Sequence, residues 1–206
     1  SACPLCSPNR ATMFTGTYPV THGVWTNCKP GLKDVALRET DITLMDVLKE
    51  NGYKTGYIGK WHLDSPEVNF CEAPESGARD WDAFTPPGKR RHGVDFWYSY
   101  GTYDQHLAPH YWHDDNKMIQ INQWSVEHET DKAIEFINEN KDEPFSLVVS
   151  WNPPHTPLDL VPQKYVDMYA GKKFKVNPNV LLTDVTDHTL SVNPRLNFTD
   201  DEYQEI

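Results

Sequence analysis

No apolar run in the chain approaches the ~20 residues that a membrane-spanning helix needs, and no secretory-type leader is visible. Internal repeats and low-complexity tracts are missing as well. Positive charge is scarce: 19 Lys and Arg face 30 Asp and Glu, a net charge of −11. Such a surface repels polyanions, so neither nucleic acid nor an anionic membrane is expected as a partner. Cysteine is scarce too, with four residues at positions 3, 6, 28 and 71. Cys3-Pro4-Leu5-Cys6 has the CxxC form, but a second CxxC is lacking and the remaining spacings of 22 and 43 are poor for a compact zinc site. A thioredoxin-like role is disfavoured because no strand precedes the pair. A disulfide among Cys3, Cys28 and Cys71 stays open for an exported protein. The opening Ser1-Ala2-Cys3-Pro4 carries no initiator Met and reads as processed or trimmed.

What remains is enough for one domain: 206 residues, 38% apolar and 12% aromatic. Seven Trp and ten Tyr are many for this length, and most are expected in the core. A protein this acidic needs a local positive site to handle an anionic substrate, which directs attention to clustered Arg, Lys and His. The excess carboxylates suit a divalent cation or simply a solvated surface.

The first 31 residues are punctuated by Gly and Pro. Residues 43–51 then read as a short amphipathic helix, with Asp41 or Thr43 as cap and Gly52 as stop. Tyr53–Gly59 reads as a strand that delivers Lys60-Trp61-His62 to its carboxyl end, where open α/β sheets bind ligands. Residues 65–118 show little periodicity and read as a long functional excursion rich in Pro, Gly, His and aromatics. A helix is expected over 125–140, with Val126, Ala133, Ile134, Phe136 and Ile137 as its apolar face and His128 solvated. A buried strand follows over 145–151, then the polar Asn152-Pro-Pro-His-Thr-Pro157, and a last short helix over 161–169.

Three motifs carry the chemistry. The strongest is Cys6-Ser7-Pro8-Asn9-Arg10, continued by Ala11-Thr12-Met13-Phe14-Thr15-Gly16-Thr17-Tyr18-Pro19. A residue 6 at a helix start would add backbone N–H groups and the positive dipole end to an anion site, and Arg10 lies one turn on. The second is Gly59-Lys60-Trp61-His62-Leu63: in an extended segment residues 60 and 62 would point the same way, joining a compact charge to a proton carrier. The third is Pro153-Pro154-His155-Thr156-Pro157, where prolines hold the His155 imidazole at little entropic cost.

Together these motifs resemble the type I sulfatases, whose signature runs Cys-x-Pro-x-Arg, a short helix, then Thr-Gly-x-Tyr-Pro. The usual family residue at position 9 is Ser, where this chain has Asn9. The resemblance implies that a maturation enzyme reads the Cys6–Arg10 core in the unfolded chain and oxidises Cys6 to formylglycine. The aldehyde hydrate then offers one hydroxyl to attack sulfur and a second whose deprotonation expels sulfate. It also implies that Lys60 and His155 bind a sulfate oxygen, that His62 contacts the formylglycine hydroxyl, and that His155 can protonate the leaving group. His106 is the expected substrate contact in the aromatic loop, and residue 6 itself is the expected ligand to a calcium ion.

The implied fold is of the alkaline-phosphatase type: α/β, with a mixed, mainly parallel sheet sandwiched by helices, incomplete within residues 1–206. The family's paired metal aspartates lie upstream of the cysteine, so they are not expected here. Asp187-His188 is read as a decoy for a later ligand pair, while Asp114-Asp115 and Asp200-Asp201 are read as loop or cap residues. The implied reaction is hydrolysis of sulfate esters, for preference of sulfated carbohydrates, in a periplasmic, secreted or lysosomal compartment. A formylglycine-dependent phosphonate or phosphodiester hydrolase and an inactive sulfated-glycan-binding homologue are the alternatives. The isolated 206-residue piece is expected to bind little calcium and to turn over negligibly.

Overall fold

The computed structural model describes residues 2–66, 81–103 and 105–172. In chain order the elements are α1 (Cys6–Thr15), α2 (Pro19–His22), α3 (Leu44–Glu50), β1 (Lys54–Lys60), β2 (Phe96–Tyr100), β3 (His110–Tyr111), β4 (Ile119–Gln120), α4 (Ser125–Asn140), β5 (Phe145–Ser150) and α5 (Gln163–Asp167). Two units divide at Asn152: α5 belongs to the second, and every other element to the first.

Local sequence sets the helix ends. Thr43 Oγ1 accepts the Asp46 N–H at 3.3 Å while the Asp46 carboxylate accepts the Thr43 N–H at 2.8 Å, a reciprocal capping box. Asp41, the other candidate cap, is taken by Arg38 at 2.7 Å. Gly52, at φ +85°, turns the chain out of α3 and into β1.

Among the described residues the main sheet has the order β2-β1-β5 and both pairings are parallel. Among the described residues, antiparallel pairing is found in the short β3–β4 ladder and in a bridge between Ser99 of β2 and Trp112. Tyr57 and Trp97, neighbours in register, face a core built with Ala11 and Phe14 of α1 and Met45 of α3. Ile58 and Tyr98, one residue on, face the opposite core with Tyr111 and Ala133. Helices thus cover both faces, as a parallel sheet requires. At Gly56 an added Cβ would come within 2.9 Å of Phe136 and 2.8 Å of Leu147, so the missing side chain is what lets α4 approach.

Two sequence expectations need correction. The excursion over 65–118 contains a core strand: β2 lies parallel beside β1, and its Trp97, Tyr98 and Tyr100 are buried. The apolar face assigned to α4 is also rotated. Ile134 and Ile137 are exposed, while Ser125, His128, Glu129, Ala133 and Phe136 are buried. His128 is therefore not solvated: its Nε2 lies 2.9 Å from the Tyr98 hydroxyl. Spacing by three and four is kept, but three of the buried positions are polar, and hydrophobicity alone does not mark them.

Glu129 carries the larger consequence. Its Oε1 accepts the Tyr111 hydroxyl at 2.9 Å, while Oε2 has no hydrogen-bond partner. Burial pushes its carboxyl up from 4.5 to about 8, against the opposing pull of the Tyr111 bond and the Arg10 charge. A folded value above the unfolded one means that this group's stabilising contribution is complete below about pH 4.5 and is lost as pH rises through about 8. Glu129→Gln keeps the acceptor for Tyr111 and cannot ionise. It is expected to flatten the stability profile across that window, removing a slope of up to ~1.4 kcal/mol per pH unit, as read by urea unfolding at a series of pH values.

Candidate active site

Helix α1 begins at Cys6, but its first turn offers fewer donors than a bare helix end. The Ser7 N–H is bound by Asn27 Oδ1 at 3.0 Å, Pro8 has no N–H, and the Asn9 N–H goes to the Leu5 carbonyl at 3.1 Å. The expectation that free N–H groups at this end would cradle an anion is corrected accordingly, although the dipole remains. Asn27, which spacing did not single out, acts as a cap supplied from twenty residues away. Ser7 Oγ in return accepts the Cys28 N–H at 3.1 Å, which fixes the 27–28 segment across the helix start.

Arg10 extends from α1 to the carboxyl ends of two strands. Its Nη1 donates to the Lys60 carbonyl at 2.7 Å, to Ser150 Oγ at 2.7 Å and to the Tyr57 hydroxyl at 3.3 Å. Tyr57 also donates to the Lys60 carbonyl. The guanidinium therefore ties the signature helix to β1 and β5 just where the second motif begins.

That motif is not extended throughout. Gly59 has φ +97°, and a Cβ there would lie 2.3 Å from the Ser150 carbonyl oxygen, so only glycine lets β1 and β5 close at this point. Trp61 is buried among Phe14, Tyr57 and Trp97, and His62 adopts the left-handed region at φ +52°. The backbone at His62 thus departs from the extended segment expected over residues 60–62. Lys60 is 2% exposed and His62 is 3% exposed.

Each is held by a partner that fixes its role. Lys60 Nζ donates to Asn152 Oδ1 at 3.1 Å, and Asn152 Nδ2 donates to the Tyr103 carbonyl at 2.6 Å. His62 Nε2 lies 3.0 Å from the Cys28 carbonyl oxygen, which can only accept, so Nε2 carries the proton. Nδ1 is buried without a hydrogen bond of ordinary length, and the Cys6 thiol is the side chain that addresses the ring. Burial holds the His62 imidazole below the usual histidine range. The Cys6 contact opposes this and the Lys60 charge reinforces it. The neutral ring accordingly presents an acceptor nitrogen toward residue 6.

Within the first unit, Arg10 therefore meets the main chain of Lys60, and Cys6 is paired with His62. His155 belongs to the second unit, where its Nδ1 lies 2.8 Å from the Thr156 carbonyl. His106 is enclosed at 1% exposure, and its carbonyl accepts the Ser125 N–H that starts α4. His110, four residues on, is gripped instead by Asp82, whose Oδ2 lies 2.7 Å from its Nε2. The other Asp82 oxygen accepts the N–H groups of Ala83, Gly101 and Thr102.

Among the described residues no three His, Cys, Asp or Glu side chains gather as a metal site. The nearest carboxylate to the Lys60–His62 turn in sequence, Asp64, is engaged by Thr85 at 2.5 Å and Arg90 at 2.8 Å. The described donor set does not fit a hard cation, which needs six or more oxygens. Asp114 is exposed beside His113 and Asp115 accepts the Lys117 N–H, as loop residues do. Cys28 is a buried thiol pushed up to about 12 by burial, and no disulfide joins Cys3, Cys6 or Cys28. Cys71, Asp187-His188 and Asp200-Asp201 lie outside the described residues.

The family model described as Sulfatase matches residues 1–194. An endo-4-O-sulfatase of Bacteroides thetaiotaomicron is 40% identical over 166 residues, covering 76% of this chain and 32% of that protein. An ulvan-active sulfatase of Formosa agariphila is 33% identical over 183 residues, covering 87% of this chain and 32% of the relative. A solved structure from work on glycosaminoglycan metabolism in Bacteroides thetaiotaomicron superposes with TM-score 0.74 at 34% identity, over 87% of this chain and 41% of its own. The chain thus spans about a third of the length of the curated relatives it matches. With the signature cysteine, its arginine and the Lys60–His62 turn converging in the fold these relatives share, the chain belongs to the sulfatase family.

Proposed function

We propose that the protein carrying this chain hydrolyses sulfate esters of carbohydrates, with residue 6 as the attacking group. The observation that carries this reading is the pairing of Cys6 with a buried, neutral His62 whose acceptor nitrogen has no other partner. When Cys6 is oxidised to formylglycine, the hydrate at that position supplies a nucleophilic hydroxyl and a second hydroxyl for release of sulfate. His62 Nδ1 takes the hydroxyl proton, because the Cys28 carbonyl keeps the ring's own proton on Nε2. Lys60 places a fixed positive charge against the sulfuryl oxygens, and its burial strengthens that interaction. Arg10 holds the backbone of Lys60 and so sets the depth of the site.

His155 is assigned to a sulfate oxygen or the leaving-group oxygen, and His106 to the substrate loop, on the strength of their motifs. Calcium in the whole protein would use residue 6 together with ligands other than those described. A carbohydrate substrate is supported by the endo-4-O-sulfatase and ulvan-active relatives, whose names specify glycan chemistry. A periplasmic, secreted or lysosomal compartment and a formylglycine-forming maturation enzyme belong to the same reading, on the strength of the Cys6–Arg10 motif. The test compares turnover of aryl and glycan sulfate esters with aryl phosphodiesters by the full-length protein. Sulfate esters are expected to be cleaved with the higher kcat/KM. A preference for the phosphodiester would replace this reading with the phosphohydrolase one, and absence of any turnover would favour a glycan-binding homologue.

A further inference from the structure

We infer that Asn152 is the positioning residue for Lys60, holding the ammonium at the sulfuryl site without cancelling its charge. This inference rests on the sulfatase reading above for its consequence, but on geometry for its substance. Asn152 lies two residues past the carboxyl end of β5, which pairs in parallel with β1, the strand that ends at Lys60. Its side chain is 6% exposed and makes two hydrogen bonds, from Lys60 Nζ at 3.1 Å and to the Tyr103 carbonyl at 2.6 Å.

The amide orientation follows from its partners. An ammonium has only protons to give and a carbonyl only lone pairs, so Oδ1 must face Lys60 and Nδ2 must face Tyr103. No other common side chain of this size both accepts from a cation and donates to a carbonyl while staying neutral. Aspartate would form the ion pair, but it would drain Lys60 of the charge that a sulfate must meet, and it would set a carboxylate against the Tyr103 oxygen. Alanine would release a long, rotamer-rich side chain from its anchor. Tyr103 is itself packed, with its ring tilted at 32° against that of Tyr100 of β2 and the centroids 3.8 Å apart. The amide therefore connects Lys60 to β2 as well as to β5.

The experiment is a double-mutant cycle in the full-length protein, with Asn152→Ala and Asn152→Asp made in the native and Lys60→Ala backgrounds. Turnover of an aryl sulfate and binding of inorganic sulfate are read together. Asn152→Ala is expected to cost about 10- to 100-fold in kcat/KM in the native background and less than about 3-fold where Lys60 is already missing. Asn152→Asp, which preserves shape, is expected to weaken sulfate binding at least as much. Equal losses in both backgrounds, or native values for Asn152→Asp, would overturn the assignment.

A direct reading of Lys60 separates this from failure of the functional proposal. The NMR titration of a 13C-labelled Lys60 side chain is expected to move to lower pH in Asn152→Ala and to higher pH in Asn152→Asp. An unmoved titration overturns the inference whether or not the protein hydrolyses sulfate esters.

Discussion

Cys6→Ala is expected to lower turnover of a sulfate ester by at least ~10⁴-fold while leaving the unfolding midpoint nearly unchanged. The effect is expected to be large because, in the proposed mechanism, residue 6 contributes the atom that attacks, and the surrounding groups only stabilise charge that this attack creates. The small change in stability follows from its position. Cys6 is half-buried at the first turn of α1, whereas Ser7, Pro8 and Ala11 make the buried face of that turn. The companion measurement is the mass of the peptide spanning residue 6. Conversion of the thiol to the aldehyde removes about 18 Da. An active protein whose residue-6 peptide keeps the full cysteine mass would sink the assigned nucleophile.

Arg10 should behave in the opposite way, with stability and activity falling together. Arg10→Ala removes a charged donor shared among the Lys60 carbonyl, Ser150 Oγ and the Tyr57 hydroxyl. Its loss is expected to cost roughly 2–4 kcal/mol in urea unfolding, the scale of one charged, part-buried hydrogen-bonding group and its stranded partners. Turnover is expected to drop at least ~100-fold, because the main chain of Lys60 loses its anchor. Arg10→Lys discriminates between charge and geometry. A lysine keeps the charge but is shorter, so its Nζ falls short of the point where Nη1 meets β1 and β5, and most of the loss is expected to persist. Full rescue by lysine would show that only the charge mattered.

The sequence made the three motifs legible because each is a compact string whose chemistry depends on residue type and order. The capping box at Thr43 and the strand leading to Lys60 were legible for the same reason: their signals are local. What escaped was set by tertiary packing. β2 is composed of Phe96-Trp-Tyr-Ser-Tyr100, and its aromatic side chains fill both cores, so no alternation of polar and apolar residues marks it. Glu129 and His128 face inward because Tyr111 and Tyr98 offer hydroxyl partners there, information that lies in strands far along the chain. Asn27 belongs to no motif, and Asn152, though it heads the polar segment after β5, drew no role from it; each is identified by whose donor or acceptor it meets. The left-handed turn at His62 likewise depends on Trp61 being drawn into the core.

The closure of Asn27 and Cys28 over Ser7 also bears on the order of events in the life of the chain. Ser7 and Pro8 are inaccessible once Asn27 caps the helix and Ser7 receives the Cys28 amide. Any catalyst that must draw this segment out as a bare strand therefore races against that latch. Slowing the 24–28 loop would lengthen its window; strengthening the latch would leave more copies with an untouched thiol.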